Sequence, residues 1–554
     1  MAQKNKVLIA SVLVLTQNVW AAGGSESSDR PSANSPSRPE FLIPKQGFNL
    51  PALPKSTEPL VPSSGKIFIE RYTFSGNTIF DGNELHELAT QYENRLVRTD
   101  ELEELRQNIT RYYINHGYIN SGAKITKGAL KNGVLNFEIV EGKLDNVQVH
   151  GQEGLNEDYI KSRLHVDEVL NVNELQEQFQ LLLLDPMISK LNGNLLPSSN
   201  PNHSTLDLNV TRTRPYQLTF FTNNYRPPSI GAEAGGVSSW VRNLTGWGDL
   251  LDFTFQGSEG SLSYNGGWSV PISSYGTQAF FRFTEGDSSV IEQPTEKLDV
   301  KSLVHNLEGG ISHPIIDSLQ RKLTLSTSFA VRENETTLAG RPFSFIASEP
   351  TGHTQVTVIR FAQEHIERMA EQVLALRSTF SFGLNALGST PRRNANAPSS
   401  DFFTWLGQAQ YGYKVLENGA QVVMKGNTQV SNHVLLPLER MAVGGVNTVR
   451  GYRENQLVRD EGFNTSIEFH YPLFGDANAE HSLSLVPFMD YGGAWNQGES
   501  ANYLHSVGLG FNWKFYQLNS EFYWAHKINS VEKTKYNNDL QDDGIHFQVK
   551  LDAF

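Results

Sequence analysis

The sequence of 554 residues contains no cysteine. That excludes a disulfide framework and any cysteine-ligated metal site, and it leaves the redox compartment unmarked. It also lacks a long apolar run beyond its first twenty residues, and its mean hydropathy is negative, so a bundle of membrane-spanning helices is excluded. Basic charge is not in excess: 46 Lys and Arg stand against 59 Asp and Glu, a net charge of −13. A duplex nucleic-acid partner, which needs a basic face, is therefore disfavoured. No catalytic constellation stands out. There is no Gly-x-Ser-x-Gly nucleophile string, and the 15 histidines are scattered. His365, His433 and His470 lack metal-ligand spacing and read as solvated or inward-facing side chains. Neither an enzyme nor a bound cofactor or metal is expected. What is abundant is 31 Phe, 19 Tyr, 8 Trp and 46 Gly. A chain of that kind, hydrophilic on average, still fits a transmembrane β-barrel, because barrel strands alternate apolar with polar residues.

Residues 1–21 read as a secretory signal. Lys4 and Lys6 precede an apolar stretch at 7–15 broken by Ser11, and Val19-Trp20-Ala21 suits cleavage. Residues 22–65 carry Pro31, Pro36, Pro39, Pro44, Pro51, Pro54, Pro59 and Pro62, a density that forbids a regular helix over 31–64 and favours an extended linker. Phe41, Leu42, Ile43 and Phe48 are its only sizeable apolar group and suit docking elsewhere. Residues 66–142 then read as a strand at 66–74, helices at 81–92 and 99–115, and strands at 123–126 and 134–140. Thr99 is placed as the N-cap of the second helix, with Asp100 and Glu101 in its first turn and Gly117 past its end. Residues 143–213 repeat the order β-α-α-β-β, with a strand at 144–149, helices at 156–164 and 173–184, and strands at 188–196 and 205–211. One mixed α+β domain fits the periodicity equally well.

From residue 216 onwards the helical period disappears. About sixteen alternating segments of roughly ten residues follow, the size class of a closed outer-membrane barrel over 214–554. Connections at 243–248, 271–276 and 475–481 are short. Those at 285–301, 333–354, 387–401, 431–462 and 527–544 are long. A soluble sandwich or propeller of this length would instead show long buried apolar strands.

The connection at 431–462 holds Thr448-Val449-Arg450-Gly451-Tyr452 in a stretch without strand period. Alone, it reads as a surface turn with a solvated arginine. Phe488-x-Asp490-x-Gly492 follows inside an alternating strand. The two-residue period puts Phe488, Asp490 and Gly492 on one face, and that face must be the lumen because Met489 and Tyr491 suit lipid. Gly444, Gly445 and Gly451 allow close backbone packing. The expectation is that this sixth outer loop folds inward and that Arg450 pairs with Asp490 on the thirteenth strand. In a wet lumen such a pair would add little net stability, and its value would lie in fixing the loop.

Two β-α-α-β-β modules before a barrel resemble polypeptide-transport-associated (POTRA) domains. Val449, Arg450, Gly451 and Tyr452, with Phe488, Asp490 and Gly492, resemble the paired signatures of the BamA-like barrel superfamily. Further matching strings are Gly117-Tyr118-Ile119, Val140-Glu141-Gly142-Lys143, Leu182-Leu183-Leu184-Asp185-Pro186, Asn224-Tyr225-Arg226-Pro227-Pro228-Ser229-Ile230-Gly231 and Asn243-Leu244-Thr245-Gly246-Trp247-Gly248-Asp249. The last of these joins two strands and reads as a hairpin turn. From about residue 66 to the end, the chain is similar to outer-membrane transporters of two-partner secretion, which include the partners of filamentous hemagglutinin, ShlA-type hemolysins and contact-dependent inhibition toxins.

That resemblance implies a signal peptide (1–21), a linker with a short plug at most (22–65), POTRA 1 (66–142), POTRA 2 (143–213) and an outer-membrane barrel (214–554). It implies passage of a large unfolded exoprotein from periplasm to cell surface. The POTRA modules would receive it by β-augmentation, and its folding outside would drive export. Implied partners are the exoprotein, outer-membrane lipids, and the barrel-assembly machinery and periplasmic chaperones for the transporter's own insertion. The transporter itself would be a monomer. The family's plug helix fits only within 22–30 here. Phe554 matches the family's C-terminal aromatic, though Ile545, Phe547, Val549 and Leu551 run out of phase with it, which requires a bulge at Asp552-Ala553 or an outward-turned last residue. An assembly factor for other barrels is the alternative function. It would usually carry more modules than the two that fit before residue 214.

Overall fold

The computed structural model describes residues 40–42, 65–164, 168–200, 203–346, 349–475, 479–529 and 538–553. The expected signal, the plug, Phe48, nearly all of the proline-rich stretch, and Phe554 lie outside them. The chain divides into two compact units, residues 45–213 and residues 1–44 with 214–554.

In the first unit, the strand expected at 66–74 is two strands. Lys66–Ile69 and Arg71–Ser75 are separated at Glu70, whose N–H donates to the Gly133 carbonyl at 2.8 Å. Lys66–Ile69 pairs antiparallel with Arg95–Arg98, a strand too short and too charged for its period to show in the sequence. Val134–Val140 is central in the main sheet, parallel to Arg71–Ser75 and antiparallel to Gly122–Lys124. The long helix runs Thr99–Asn115, and Arg98, not Thr99, is its N-cap. The chain enters this helix directly from a strand, so the last extended residue is Arg98. Its N–H donates to Glu101 Oε2 at 2.8 Å, half of a capping box. Leu102, Leu105, Ile109 and Tyr113 form the buried stripe of this helix. They pack with Ile69, Tyr72 and Phe137 of the sheet, each such side chain contributing roughly 1.5–3 kcal/mol by burial.

The second module comprises Leu144–His150, helices Glu157–Lys161 and Val172–Leu183, and strands Ile188–Pro197 and Ser204–Arg212. Its sheet repeats the first one's plan: the last strand is central, parallel to the first and antiparallel to its hairpin neighbour. Asp185, from the Leu-Leu-Leu-Asp-Pro string, closes the end of the helix by accepting from the Tyr159 hydroxyl at 2.8 Å and the Met187 N–H at 2.8 Å.

The two modules are joined by direct contacts. Val172 N–H donates to the Gly117 carbonyl at 2.9 Å. Ile119 of the first module packs against the second module's core, and Asn120 bonds to Ser204. Gly117 has φ +95°, and a Cβ there would lie 2.4 Å from Asn171 Oδ1. Only glycine meets both conditions, which explains the Gly-Tyr-Ile string.

In the other unit, sixteen antiparallel strands close into a barrel, the first (Tyr216–Asn223) pairing with the last (Ile545–Asp552). Each of the sixteen expected segments corresponds to one strand. The third, Leu250–Ser258, shows the alternation: Leu251, Phe253 and Phe255 are exposed outward while Asp252 and Gln256 are buried inward. Strand length varies from 8 residues in the first and last to 18 in the sixth (Val300–Asp317) and seventh (Arg321–Leu338). Several expected long loops are shorter than predicted because the strands run on into them. On the same side of the barrel, the connection at 259–260 is a tight turn. At the turn 243–249, Asp249 accepts from the Thr245 N–H and Thr245 hydroxyl at 2.9 and 2.7 Å. Of the linker's apolar group, Phe41 and Leu42 do rest on the barrel: Leu42 N–H donates to the Met369 carbonyl at 3.1 Å, and Lys414 Nζ lies 4.3 Å from the Phe41 ring centre.

Candidate functional site: the loop in the barrel lumen

The connection from the eleventh strand (Gln421–Ser431) to the twelfth (Glu461–Phe474) turns into the barrel. It contains its own two-stranded ribbon, Met441–Val443 with Leu457–Arg459. Met441, Val443, Val449 and Tyr452 are buried with Ala494 and Leu504 of the wall. The wall is shaped to admit them. A Cβ on Gly492 would lie 2.8 Å from Val443 Cγ1 and 2.9 Å from Val449 Cγ2, so glycine there leaves the loop room to seat. On the loop, Gly445 has φ +102°, and a Cβ there would overlap the Glu454 carboxylate, which accepts from Val446 N–H at 2.7 Å.

The four predicted loop residues each reach the wall. Val449 fills the space above Gly492. Arg450 donates to Asp490 three times: from its backbone N–H at 3.0 Å, from Nε at 2.8 Å and from Nη2 at 2.7 Å. Its Nη2 also donates to Ser466 Oγ at 2.8 Å, its Nη1 is 2.9 Å from Glu468 Oε1, and its guanidinium carbon lies 3.5 Å from the Phe488 ring centre. Gly451 N–H donates to His546 Nε2 at 3.1 Å, which requires that ring nitrogen to be unprotonated. The Tyr452 hydroxyl lies 2.9 and 3.0 Å from the carbonyl oxygens of His505 and Asn529, which share its single proton.

The expected wet ion pair is corrected by these contacts. The side chains of Arg450 and Asp490 are 4 % and 0 % exposed, because the loop itself covers them. In such a place the pair's net worth is modest, whereas removal of one member strands a buried charge and costs about 3–5 kcal/mol.

Other contributors were not found in the sequence. Glu468 and Ser466 could have been, since on the twelfth strand they stand opposite Phe488 and Asp490 on the same face. Arg453 could not, because its partners are distant. It donates to Asp542 at 2.8 and 2.6 Å and to Glu292 at 2.7 Å, joining this loop to two others. Glu439 was missed for the same reason. It accepts from Arg332 Nη1 at 2.6 Å and from Arg360 Nη2 at 2.7 and 2.9 Å. Burial opposes ionisation of Glu439, but the Arg360 and Arg332 guanidiniums outweigh it and hold its carboxyl below the usual range. Among the described residues, no group of His, Asp and Glu could hold a metal ion.

A family model described as haemolysin secretion/activation protein ShlB/FhaC/HecB matches residues 202–515, and a ShlB-type POTRA domain model matches residues 67–142. The chain belongs to the ShlB/FhaC/HecB family. It is similar to the outer membrane transporter CdiB of Dickeya dadantii, 22 % identical over 70 % of this chain and 69 % of that one. It is also similar to the heme/hemopexin transporter protein HuxB of Haemophilus influenzae, 22 % identical over 74 % of this chain and 72 % of that one. In fold it matches the solved CdiB of Escherichia coli with a TM-score of 0.69 at 18 % identity, over 91 % of this chain and 92 % of that one.

This ShlB/FhaC/HecB protein is an outer-membrane transporter of two-partner secretion. It translocates an exoprotein from periplasm to cell surface through its barrel, with the POTRA domains in the periplasm. A BamA-like assembly role is less supported by these comparisons.

Proposed function

We propose that transport is gated by the loop that bears Arg450, and that Val449, Arg450, Gly451 and Tyr452 with Phe488, Asp490 and Gly492 are its seat. The observation that carries this reading is the triple donation of Arg450 to Asp490 behind a buried apolar plug of Val443, Val449 and Tyr452. A loop fixed in this way occupies lumen that an extended polypeptide must use. The exoprotein is taken up at an open strand edge of residues 66–142 by strand addition, passes as an extended chain or hairpin, and folds outside. That folding provides the driving force. The protein acts as a monomer among outer-membrane lipids, and its own insertion uses the barrel-assembly machinery and periplasmic chaperones. It carries out no catalysis.

Deletion of residues 66–142 is expected to abolish secretion while the barrel still inserts, measured as exoprotein in the medium and heat-modifiable migration of the barrel. Normal secretion by that truncation would overturn the uptake step. Wild-type secretion and conductance by Arg450→Ala would remove the loop from transport.

A further inference from the structure

Arg450 holds only one limb of the loop. The other limb has a seat of its own on a different part of the wall. Leu435 and Leu436 are buried against Ala330 of the seventh strand, Val356 and Val358 of the eighth (His353–Arg368), and Phe402. Immediately beyond them, Glu439 is 2 % exposed and lies between Arg332 of the seventh strand and Arg360 of the eighth. Arg332 also donates to the Leu438 carbonyl at 2.9 Å. The first seat lies on the twelfth to sixteenth strands, where the loop supplies a cation and the wall supplies acids. The second reverses the signs, with an acid on the loop and cations on the wall.

We propose that Glu439 is a second positioning residue for transport: it fixes the limb that follows the eleventh strand to the seventh and eighth strands, so that the loop bridges the lumen, and this seat releases when the exoprotein passes. The inference rests on the loop's being a transport element, as proposed above. The reason for choosing this seat is electrostatic. Arg450 pairs with Asp490 and covers an aromatic ring, so its departure would leave Asp490 without it, leave Glu468 to Lys425 and His470, and unpack Val449 and Tyr452. At the second seat one carboxylate serves two guanidiniums, and Arg360 Nε has no hydrogen-bond partner among the described residues. When the limb leaves, Glu439 gains water, and the two arginines face a hydrated channel in which guanidiniums stay ionised and solvated.

The chain's lack of cysteine makes a direct test clean. Arg332→Cys with Glu439→Cys, bridged by a short bis-maleimide in intact cells, should arrest secretion. The same double variant without linker should show the phenotype of Glu439→Gln, which is raised single-channel conductance and secretion lowered about tenfold or more, as for a loop whose resting population has shifted. Glu439→Arg combined with Arg360→Glu should recover conductance toward wild type, which a general packing defect would not allow. Heat-modifiable migration reports the folded barrel in every case. Continued secretion by the bridged protein would overturn release at this seat. Wild-type conductance and secretion by Glu439→Gln would overturn positioning. Arg450→Ala, run beside these, tells failure of this inference from failure of the loop's role as a whole.

Discussion

Arg450 and Asp490 meet through backbone as well as side chain: the same carboxylate oxygen, Oδ2, accepts from the Arg450 N–H at 3.0 Å and from its Nε at 2.8 Å. An ion pair alone would leave the loop's main chain free to slide. The added N–H bond fixes the position of the Val-Arg-Gly-Tyr segment relative to the thirteenth strand (His481–Trp495).

Because Glu468 shares the guanidinium, the two alanine variants should differ. Arg450→Ala removes every contact. Asp490→Ala leaves Glu468 at 2.9 Å and should impair secretion less. The double variant should match Arg450→Ala, since one interaction network is lost in both. Secretion assays on the three proteins check this, and additive losses would show that the residues act separately.

Gly492→Ala places a methyl group within 2.8–2.9 Å of Val443 and Val449. The loop should be displaced, with raised channel conductance at unchanged barrel folding. Trimming both neighbours, with Val443→Ala and Val449→Ala together, should bring conductance back toward wild type, because both close contacts are then removed. Planar-bilayer recordings measure both.

The junction between the POTRA modules depends on Gly117. Gly117→Ala forces a side chain into φ +95° and into the Asn171 amide, a strain of about 1–3 kcal/mol. Denaturant unfolding of the 65–213 fragment should show that loss, and proteolysis should open the segment between the modules.

Glu141, from the Val-Glu-Gly-Lys string, organises the turn after Arg71–Ser75. It accepts from Ile79 N–H at 3.0 Å, Thr78 N–H at 2.8 Å and the Tyr113 hydroxyl at 3.0 Å. Burial pushes its carboxyl up, but these bonds and that from the Thr78 hydroxyl outweigh burial and hold it below the ordinary value. Its contribution is therefore complete above the unfolded value of about 4.3 and is lost as pH falls through the lower folded one. Stability of the 65–213 fragment should drop across that acid window, and Glu141→Gln should flatten the drop.

The barrel and the Arg450 site were legible because both rest on local periodicity. Alternation such as Leu251, Asp252, Phe253 marks a strand with two environments, and the same period places Asp490 inward. Residues whose partners depend on the path of a loop were not legible. Nothing near Glu439 in the sequence points to Arg332 or Arg360, and nothing near Arg453 points to Glu292. The break at Glu70 was hidden for a related reason: a four-residue strand such as Lys66–Ile69 holds only two repeats of the strand period, and only its pairing with Arg95–Arg98 distinguishes it.

A cylinder whose first and last strands have 8 residues and whose sixth and seventh have 18 cannot match a bilayer of even thickness. With a rise of about 3.3 Å per residue and a tilt near 40°, the tall side stands roughly 45 Å and the short side roughly 20 Å, against an apolar band of about 25 Å. Lipid beside the first and last strands must thin to meet the protein, while the sixth and seventh strands are long enough to reach through the headgroup layers. An exoprotein crossing the lumen thus passes a wall that is tall on one flank and short on the other.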